Sequence, residues 1–210
     1  MAHLLLVRHG KSEWNELGLW TGLSDIDLVE RGVGEAREAG RIIAQIGVHS
    51  AHVSELKRAK RTLEEILSVI SGEGIPVASH VALNERNYGI FTGKNKWQIK
   101  EEVGELEFQA IRRSWDKLIP EGETLKDVHD RVVPYYAEYI MKDLLNNLNT
   151  LVVAHGNTLR ALVKHIEGLD ETQVAELEIG TGEVYRYEID SLGTVMNKEI
   201  LVTNQAKNSV

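Results

Sequence analysis

Two segments constrain the fold of this chain more than any other: "LLLVRHG" at residues 4–10 and "TLVVAHG" at residues 150–156 are each a short apolar run ending in His-Gly. A run of that length, bounded by a turn-former, fits a strand covered on both faces. The second passes at once into "NTLRALVKHI", whose apolar residues recur at helical spacing. Strand, turn at Gly156, then helix is the unit from which parallel sheets are built.

The rest of the chain repeats that alternation. His3 to Val7 reads as the first strand, residues 29 to 46 as a helix with Val33, Ala36, Ile43 and Ile46 on one side, and Ala51 to Val53 as a second strand. Ser54 stands where an N-cap is expected for "ELKRAKRTLEEILSVI", in which Ala59, Leu63, Ile66, Leu67 and Ile70 share a face. "IPVASH" predicts a third strand and "NERNYGIFTG" an irregular loop. "NKWQIKEEVGELEFQAIRRSW" and "TLKDVHDRVVPYYAEYIMKDLLNNL" read as helices, the second kinked or restarted at Pro134. Residues 183 to 203 predict a last hairpin and "NQAKNSV" a polar tail. The expected fold class is therefore α/β, with a mostly parallel central sheet between two helical layers.

Composition narrows the function. With 42% hydrophobic and 27% charged residues, the 210-residue chain supports one core, so a single domain over 1–210 with a flexible tail at 204–210 is expected. The net charge of -8 argues against nucleic acid as a partner, while leaving room for a local cluster that holds small anions. The absence of cysteine removes disulfides, thiolate-ligated metals and thiol nucleophiles. The opening apolar run is too short for a signal or membrane helix, so a soluble, cytoplasmic protein with no membrane partner is expected.

Ligands of open α/β sheets gather at the carboxyl ends of strands, which brings His9 and His155 to one sheet edge. The glycine after each histidine permits close ligand approach, and "HGNT" offers backbone donors at a helix start, an anion site in its own right. A lone strand-end histidine is ordinarily structural; two matching ones point to a shared site. Arg8 and Lys11 flank His9, and Lys57, Arg58, Lys60 and Arg61 crowd the first turns of a helix, where cations oppose the dipole. Glu64 and Glu65 account for Lys60 and Arg61, whereas Lys57 and Arg58 lack an acid four residues on and call for an external anion. Arg86, Arg112 and Arg113 lie in or beside loops.

Arginine's planar fork suits phosphate and carboxylate oxygens, so two histidines among arginines point to phosphoryl chemistry. A neutral imidazole nitrogen can attack phosphorus and carry the phosphoryl group, with Arg8, Arg58 and His155 stabilising the equatorial charge. A carboxyl group must then serve the departing oxygen, and Glu85 in "LNERNYG" is the first candidate, ahead of Asp25, Asp27 and Glu13. His9, His155 and Glu85 also make a possible zinc set, but the surrounding arginines would repel a cation and no HExxH helix is present, so no metal is expected. A non-catalytic phosphate-binding module would have no need of Glu85.

"VRHGKSEWN", "SELKRAKRTL", "LNERNYG", "IRRSWD" and "VVAHGNTLRALVKHIEGL" together resemble the histidine phosphatase superfamily and, within it, the cofactor-dependent phosphoglycerate mutases of compact subtype. The resemblance runs in matching order to about Tyr187. It implies a three-layer α/β/α sandwich and the interconversion of 3-phosphoglycerate and 2-phosphoglycerate, with 2,3-bisphosphoglycerate as phosphorylating primer and intermediate and no metal. It implies that His9 becomes phosphorylated, that Arg8, Arg58 and His155 hold the phosphoryl group, and that Glu85 is general acid and base. By the same resemblance Ser12, Asn15, Thr21, Gly22, Arg86, Tyr88, Lys96, Arg112, Arg113 and Asn157 bind the phosphate or carboxylate of a small phosphorylated acid, and Gly156 contacts phosphate through its backbone. Ser12 favours the glycolytic mutases over the bisphosphoglycerate mutases. Lys11 stands where these mutases usually carry Glu, a charge reversal expected to alter how phosphate or the bisphosphate intermediate is held. The segment between "RRSWDKLIP" and "GETLKDVHD" lacks an insertion that commonly joins subunits, which leaves a homo-oligomer open. The alternative within the superfamily is a phosphatase of small phosphomonoesters, in which water takes the phosphoryl group.

Overall fold

The computed structural model describes residues 1–201. The tail from 204, and the last residues assigned to the hairpin, lie outside that range. Six strands, β1 (Ala2–Arg8), β2 (Ser50–Val53), β3 (Val77–Ser79), β4 (Thr150–Ala154), β5 (Val184–Ile189) and β6 (Val195–Ile200), form one sheet in the order β3-β2-β4-β1-β5-β6. The first four in that order run parallel, and β5 and β6 add antiparallel at the β1 edge. A mostly parallel sheet was the expectation from the alternation of strands and helices, and the hairpin supplies its antiparallel part.

The two-residue period of β1 sorts its side chains between two cores. Leu5 and Val7 pack with Ala39 and Ile43 of the helix Glu30–Ile43 and with Ala59, Leu63 and Ile66 of the helix Lys57–Ile70. Leu4 and Leu6 pack on the opposite face with Val128 and Val132 of the helix Leu125–Tyr135 and with Leu159 and Leu162 of the helix Gly156–Glu167. These are the three layers of the sandwich. Aromatic side chains from the connecting segments, Trp20, Tyr88 and Phe108, form a third apolar cluster with Ile111 and Ile119.

Several local readings change in detail. The long helical stretch from residue 96 is two helices, Lys96–Val103 and Glu105–Arg113, because Gly104 sits at φ +81° and turns the chain between them. Pro134 lies inside the helix Leu125–Tyr135 and removes a backbone donor; a π-helical turn at Tyr136–Ile140 follows before Met141–Leu145 completes the element. Ser54 is not the N-cap of the helix Lys57–Ile70, a place taken by Leu56 without a side-chain bond. Gly156 does not form a turn before its helix but is the first helical residue, with His155 as N-cap.

This topology creates the crevice. β1 and β4 are neighbours in register, with Arg8 beside Ala154, yet β1 leads to the helix Glu30–Ile43 on one face and β4 leads to the helix Gly156–Glu167 on the other. Where successive connections diverge to opposite faces, a cleft opens above the carboxyl ends of the strands. No helix among the described residues is long and apolar enough to cross a membrane.

Candidate active site

His9 and His155 emerge side by side from that switch point, tied by a bond from His9 N–H to the Ala154 carbonyl at 3.0 Å and with ring centroids 4.9 Å apart. His9 is buried, and its Nδ1 lies 2.7 Å from the Gly10 carbonyl. A carbonyl only accepts, so Nδ1 carries the proton and Nε2 keeps its lone pair. Arg58 Nε donates to that Nε2 at 3.3 Å. Burial, then the Arg58 and Arg8 cations, hold the His9 pKa well below the ordinary histidine value. The ring is therefore neutral and nucleophilic at physiological pH. Gly10 is required for close packing: a Cβ there would lie 2.2 Å from the Gly32 carbonyl oxygen.

His155 is fully buried and its Nε2 lies 2.7 Å from Ser54 Oγ. The Ser54 hydroxyl donates to Asn84 Oδ1 at 2.8 Å, so it accepts from His155 and leaves Nδ1 without a hydrogen-bond partner. Burial and the cations Arg58 and Arg8, with His9, keep this ring neutral as well. Ser54 thus orients a ring in the cleft.

Beside the His9 ring is a cavity of about 100 Å³. Of the residues singled out in the sequence, Arg8, His9, Asn15, Thr21, Gly22, Arg58, Glu85, Tyr88, Lys96, Arg112, Arg113, Gly156 and Asn157 line it. Arg58 is buried and spans from His9 to the carbonyls of Ser24 and Gly22, at 2.8 and 2.9 Å; burial lowers its pKa to about 10, against the pull of Glu85 and Asp25. It stays protonated. Glu85 Oε1 accepts from Arg86 N–H at 2.8 Å and from both the backbone and side-chain nitrogens of Asn157 at 3.2 Å, which leaves Oε2 facing Gly156. Lys96 has no acidic partner among the described residues, and burial followed by Arg8 and Arg112 pushes its pKa down to about 8. Arg8 Nε, Trp20 Nε1, Thr21 Oγ1 and His155 Nδ1 are buried polar atoms with no partner. Three of them, on Arg8, Trp20 and Thr21, are donors at one cation-rich cavity, a setting suited to an anion.

Three of the site residues are not in that lining: His155 packs behind it against the His9 ring, and Arg86 and Ser12 lie elsewhere. Arg86 is fully buried and donates to the carbonyls of Glu123, Ile111 and Lys117, pinning the loop that carries Glu85. Ser12, also buried, caps the short helix Glu13–Glu16 by exchanging bonds with Asn15. Lys57 faces Asp27 at 3.9 Å on another surface rather than an external anion, whereas Arg61 pairs with Glu65 as the spacing predicts. Among the described residues no three His, Asp or Glu side chains converge as a metal site.

The cleft also contains residues that the sequence did not single out. Arg160 bonds to Asn157 Oδ1 at 3.0 Å and to the carbonyls of Val174, Arg113 and Arg112, and so ties the two-arginine segment to the helix start. Its signal was an arginine amid Leu159, Ala161, Leu162 and Val163, on a helix face that otherwise has no use for charge. Trp20 contributes the roof and a free indole N–H, and Arg131 holds the carbonyls of Asn84 and Glu85 at 2.9 and 3.1 Å.

The family model of the histidine phosphatase superfamily (branch 1) matches residues 4–199. Over 197 residues the chain is 44% identical to a 2,3-bisphosphoglycerate-dependent phosphoglycerate mutase of Bradyrhizobium diazoefficiens, covering 93% of this chain and 95% of that one. A protein of the same description from Treponema pallidum is 39% identical over 229 residues, covering 94% and 91%. Among solved structures, a mycobacterial glucosyl-3-phosphoglycerate phosphatase in complex with VO3 superposes with a TM-score of 0.82 at 23% identity, covering 97% and 99% of the two chains. A putative alpha-ribazole-5'-P phosphatase of Escherichia coli gives 0.80 at 24%, covering 96% of each. At those identities the structural likeness is one of fold.

Proposed function

The chain belongs to the histidine phosphatase superfamily, and from that premise we infer that it interconverts 3-phosphoglycerate and 2-phosphoglycerate through a phosphohistidine enzyme. The observation that carries this reading is the identity of 44% and 39% to two phosphoglycerate mutases along 93% and 94% of the chain. The orphaned donors of Arg8, Thr21 and Trp20 suit a phosphoryl group, His155 Nδ1 joins them once it takes up a proton with the anion, and Arg112 and Arg113 in the same cavity suit the carboxylate of a small phosphorylated acid. 2,3-Bisphosphoglycerate fits as the primer, supplying the phosphoryl group that charges His9.

His9 Nε2 forms the N–P bond as the O–P bond of the donor breaks, and its Nδ1–H, fixed on the Gly10 carbonyl, steadies the developing positive ring. Arg58 Nε, which guards the free lone pair, then donates to a phosphoryl oxygen together with Arg8 and the first turn of the helix at Gly156. When the hydroxyl of a monophosphoglycerate attacks the phosphorus, the N–P bond breaks and Glu85 takes the hydroxyl proton. In the return transfer His9 accepts the other phosphoryl group and Glu85 gives the proton to the oxygen left behind. Protons and phosphoryl groups balance over the cycle.

The test is conversion of 3-phosphoglycerate to 2-phosphoglycerate in chelator, with and without a trace of 2,3-bisphosphoglycerate, while free phosphate is followed. Fast isomerisation that needs the primer and releases little phosphate is the expected result. Phosphate release without isomerisation would make the chain a phosphatase of small phosphomonoesters, with water as acceptor.

A further inference from the structure

Beyond the inner cavity lies a second chamber of about 220 Å³, more than twice as large. Arg8, Asn15, Lys96, Arg112 and Glu178 line both, so the two adjoin, while Lys11 and Thr181 line only the outer one. Its charge is unbalanced. Four cations, Arg8, Lys11, Lys96 and Arg112, meet two acids, Glu16 and Glu178, and Glu178 is already engaged by Arg113 at 2.5 Å. No acid among the described residues pairs with the Lys11 ammonium. Thr181 is nine-tenths buried in the wall and its hydroxyl has no partner, a second and independent sign that a ligand atom belongs there.

The backbone presents Lys11 rigidly. Its N–H donates to Glu35 Oε2 at 2.9 Å, its carbonyl accepts from Val29 N–H at 3.0 Å, and Gly32 packs directly against it. The ammonium alone is free to move, as suits a point charge that follows a shifting anion.

We propose that the outer chamber is a second anion-binding station, with Lys11 and Thr181 as its own contacts, which holds the bisphosphorylated intermediate while it turns end for end between the two phosphoryl transfers. This rests on the mutase reading. That cycle requires one phosphate to leave His9 and the other to replace it, and the intermediate must withdraw from the inner cavity to turn. Shared cations keep it in contact throughout, and Lys11 adds the charge that keeps it from escaping.

The test charges His9 from radiolabelled 2,3-bisphosphoglycerate, chases with unlabelled 3-phosphoglycerate, and measures the label that escapes as free bisphosphate; the primer concentration giving half-maximal isomerisation is measured alongside. In Lys11→Gln both quantities rise about five- to tenfold, with kcat at saturating primer falling less than about threefold, a split that marks lost retention rather than lost chemistry. Lys11→Glu exceeds this and Lys11→Arg restores most of the wild-type behaviour. Escape and primer requirement within twofold of wild type across the series would overturn the proposal, as would a fall in kcat with escape unchanged. A wild-type protein that does not isomerise at all would remove the mutase reading itself, and the proposal with it.

Discussion

His52 and His155 look alike by every crude measure and differ in the one that matters. They sit on or just beyond neighbouring strands of one sheet, are 4% and 0% exposed, and are both held below the ordinary histidine pKa by burial. His52, however, has both ring nitrogens engaged, Nδ1 with the Tyr135 hydroxyl at 2.8 Å and Nε2 with Asp143 at 3.2 Å. His155 has one nitrogen on Ser54 and one with no partner, and its charged neighbours are cations. Arginines divide the same way: Arg86 gives its donors to three carbonyls, whereas Arg8 keeps a buried Nε unmatched. His3 Nδ1 and Arg186 Nε are also buried without a partner but lie outside both cavities, so it is the coincidence of unmatched donors with a cation-lined cavity that marks a binding site.

Substitutions sharpen this contrast most at the histidines. His9→Ala is expected to lower isomerisation by about ten thousandfold or more, since it removes the group that carries the phosphoryl. His155→Asn should lose about a hundred- to a thousandfold through weaker stabilisation of the transferring group. His52→Asn should keep near-normal turnover and instead lose about 1–3 kcal/mol in urea unfolding, because Tyr135 and Asp143 lose their partner. A His52 variant as inactive as the His155 variant would break the comparison.

The arginines give the next largest effect. Arg112→Ala should raise KM for 3-phosphoglycerate by about ten- to a hundredfold with little change in stability, because its guanidinium has no acidic partner to lose. Arg86→Met should do the reverse, losing about 3 kcal/mol as buried carbonyls go unmatched, with KM changed less than in the Arg112 variant. Should Arg86→Met raise KM as steeply while unfolding normally, the unsatisfied-atom criterion would not separate binding arginines from structural ones.

These contrasts also explain what the sequence could and could not disclose. The paired strand-His-Gly segments were legible because strand period and sheet topology act locally, and parallel register then brings His9 beside His155. Arg58 is marked by a local rule, a first-turn cation with no acid four residues on, and Glu85 by the need for a carboxyl group in a charged loop, whereas Asn157 is reached through motif resemblance alone. Arg86 sits within one of those motifs, yet its guanidinium turns toward carbonyls contributed by residues 111, 117 and 123, a choice made by tertiary packing. Ser54 obeyed capping logic but is engaged by Asn84 and His155, which lie 30 and 101 residues away in sequence. Arg160 shows in the sequence only as a charge on an apolar helix face, while its partners and those of Arg131 come from distant segments, and the unpartnered indole N–H of Trp20 leaves no mark in any helical or strand period.

The smallest effect is also the subtlest, and it compares two lysines. Lys126 is exposed and bonded to Asp130, which raises its pKa, whereas Lys96 is half-buried, and desolvation followed by Arg8 and Arg112 lowers its pKa from 10.5 to about 8. A lysine binds anions in its charged form, which for free Lys96 prevails below about 8 and is lost as pH rises through that value. A bound phosphate or carboxylate favours the charged form, so binding draws the pKa back upward and takes up a proton at pH values between the two. For 3-phosphoglycerate, kcat/KM should therefore decline by about three- to tenfold from pH 7 to pH 9, and KM should carry the change. Lys96→Met should start lower and lose that alkaline limb, while Lys126→Met keeps it. An alkaline limb that survives in Lys96→Met would assign the titration to another group, and would mean that the uncompensated cations at the cavity are not what sets its affinity for anions.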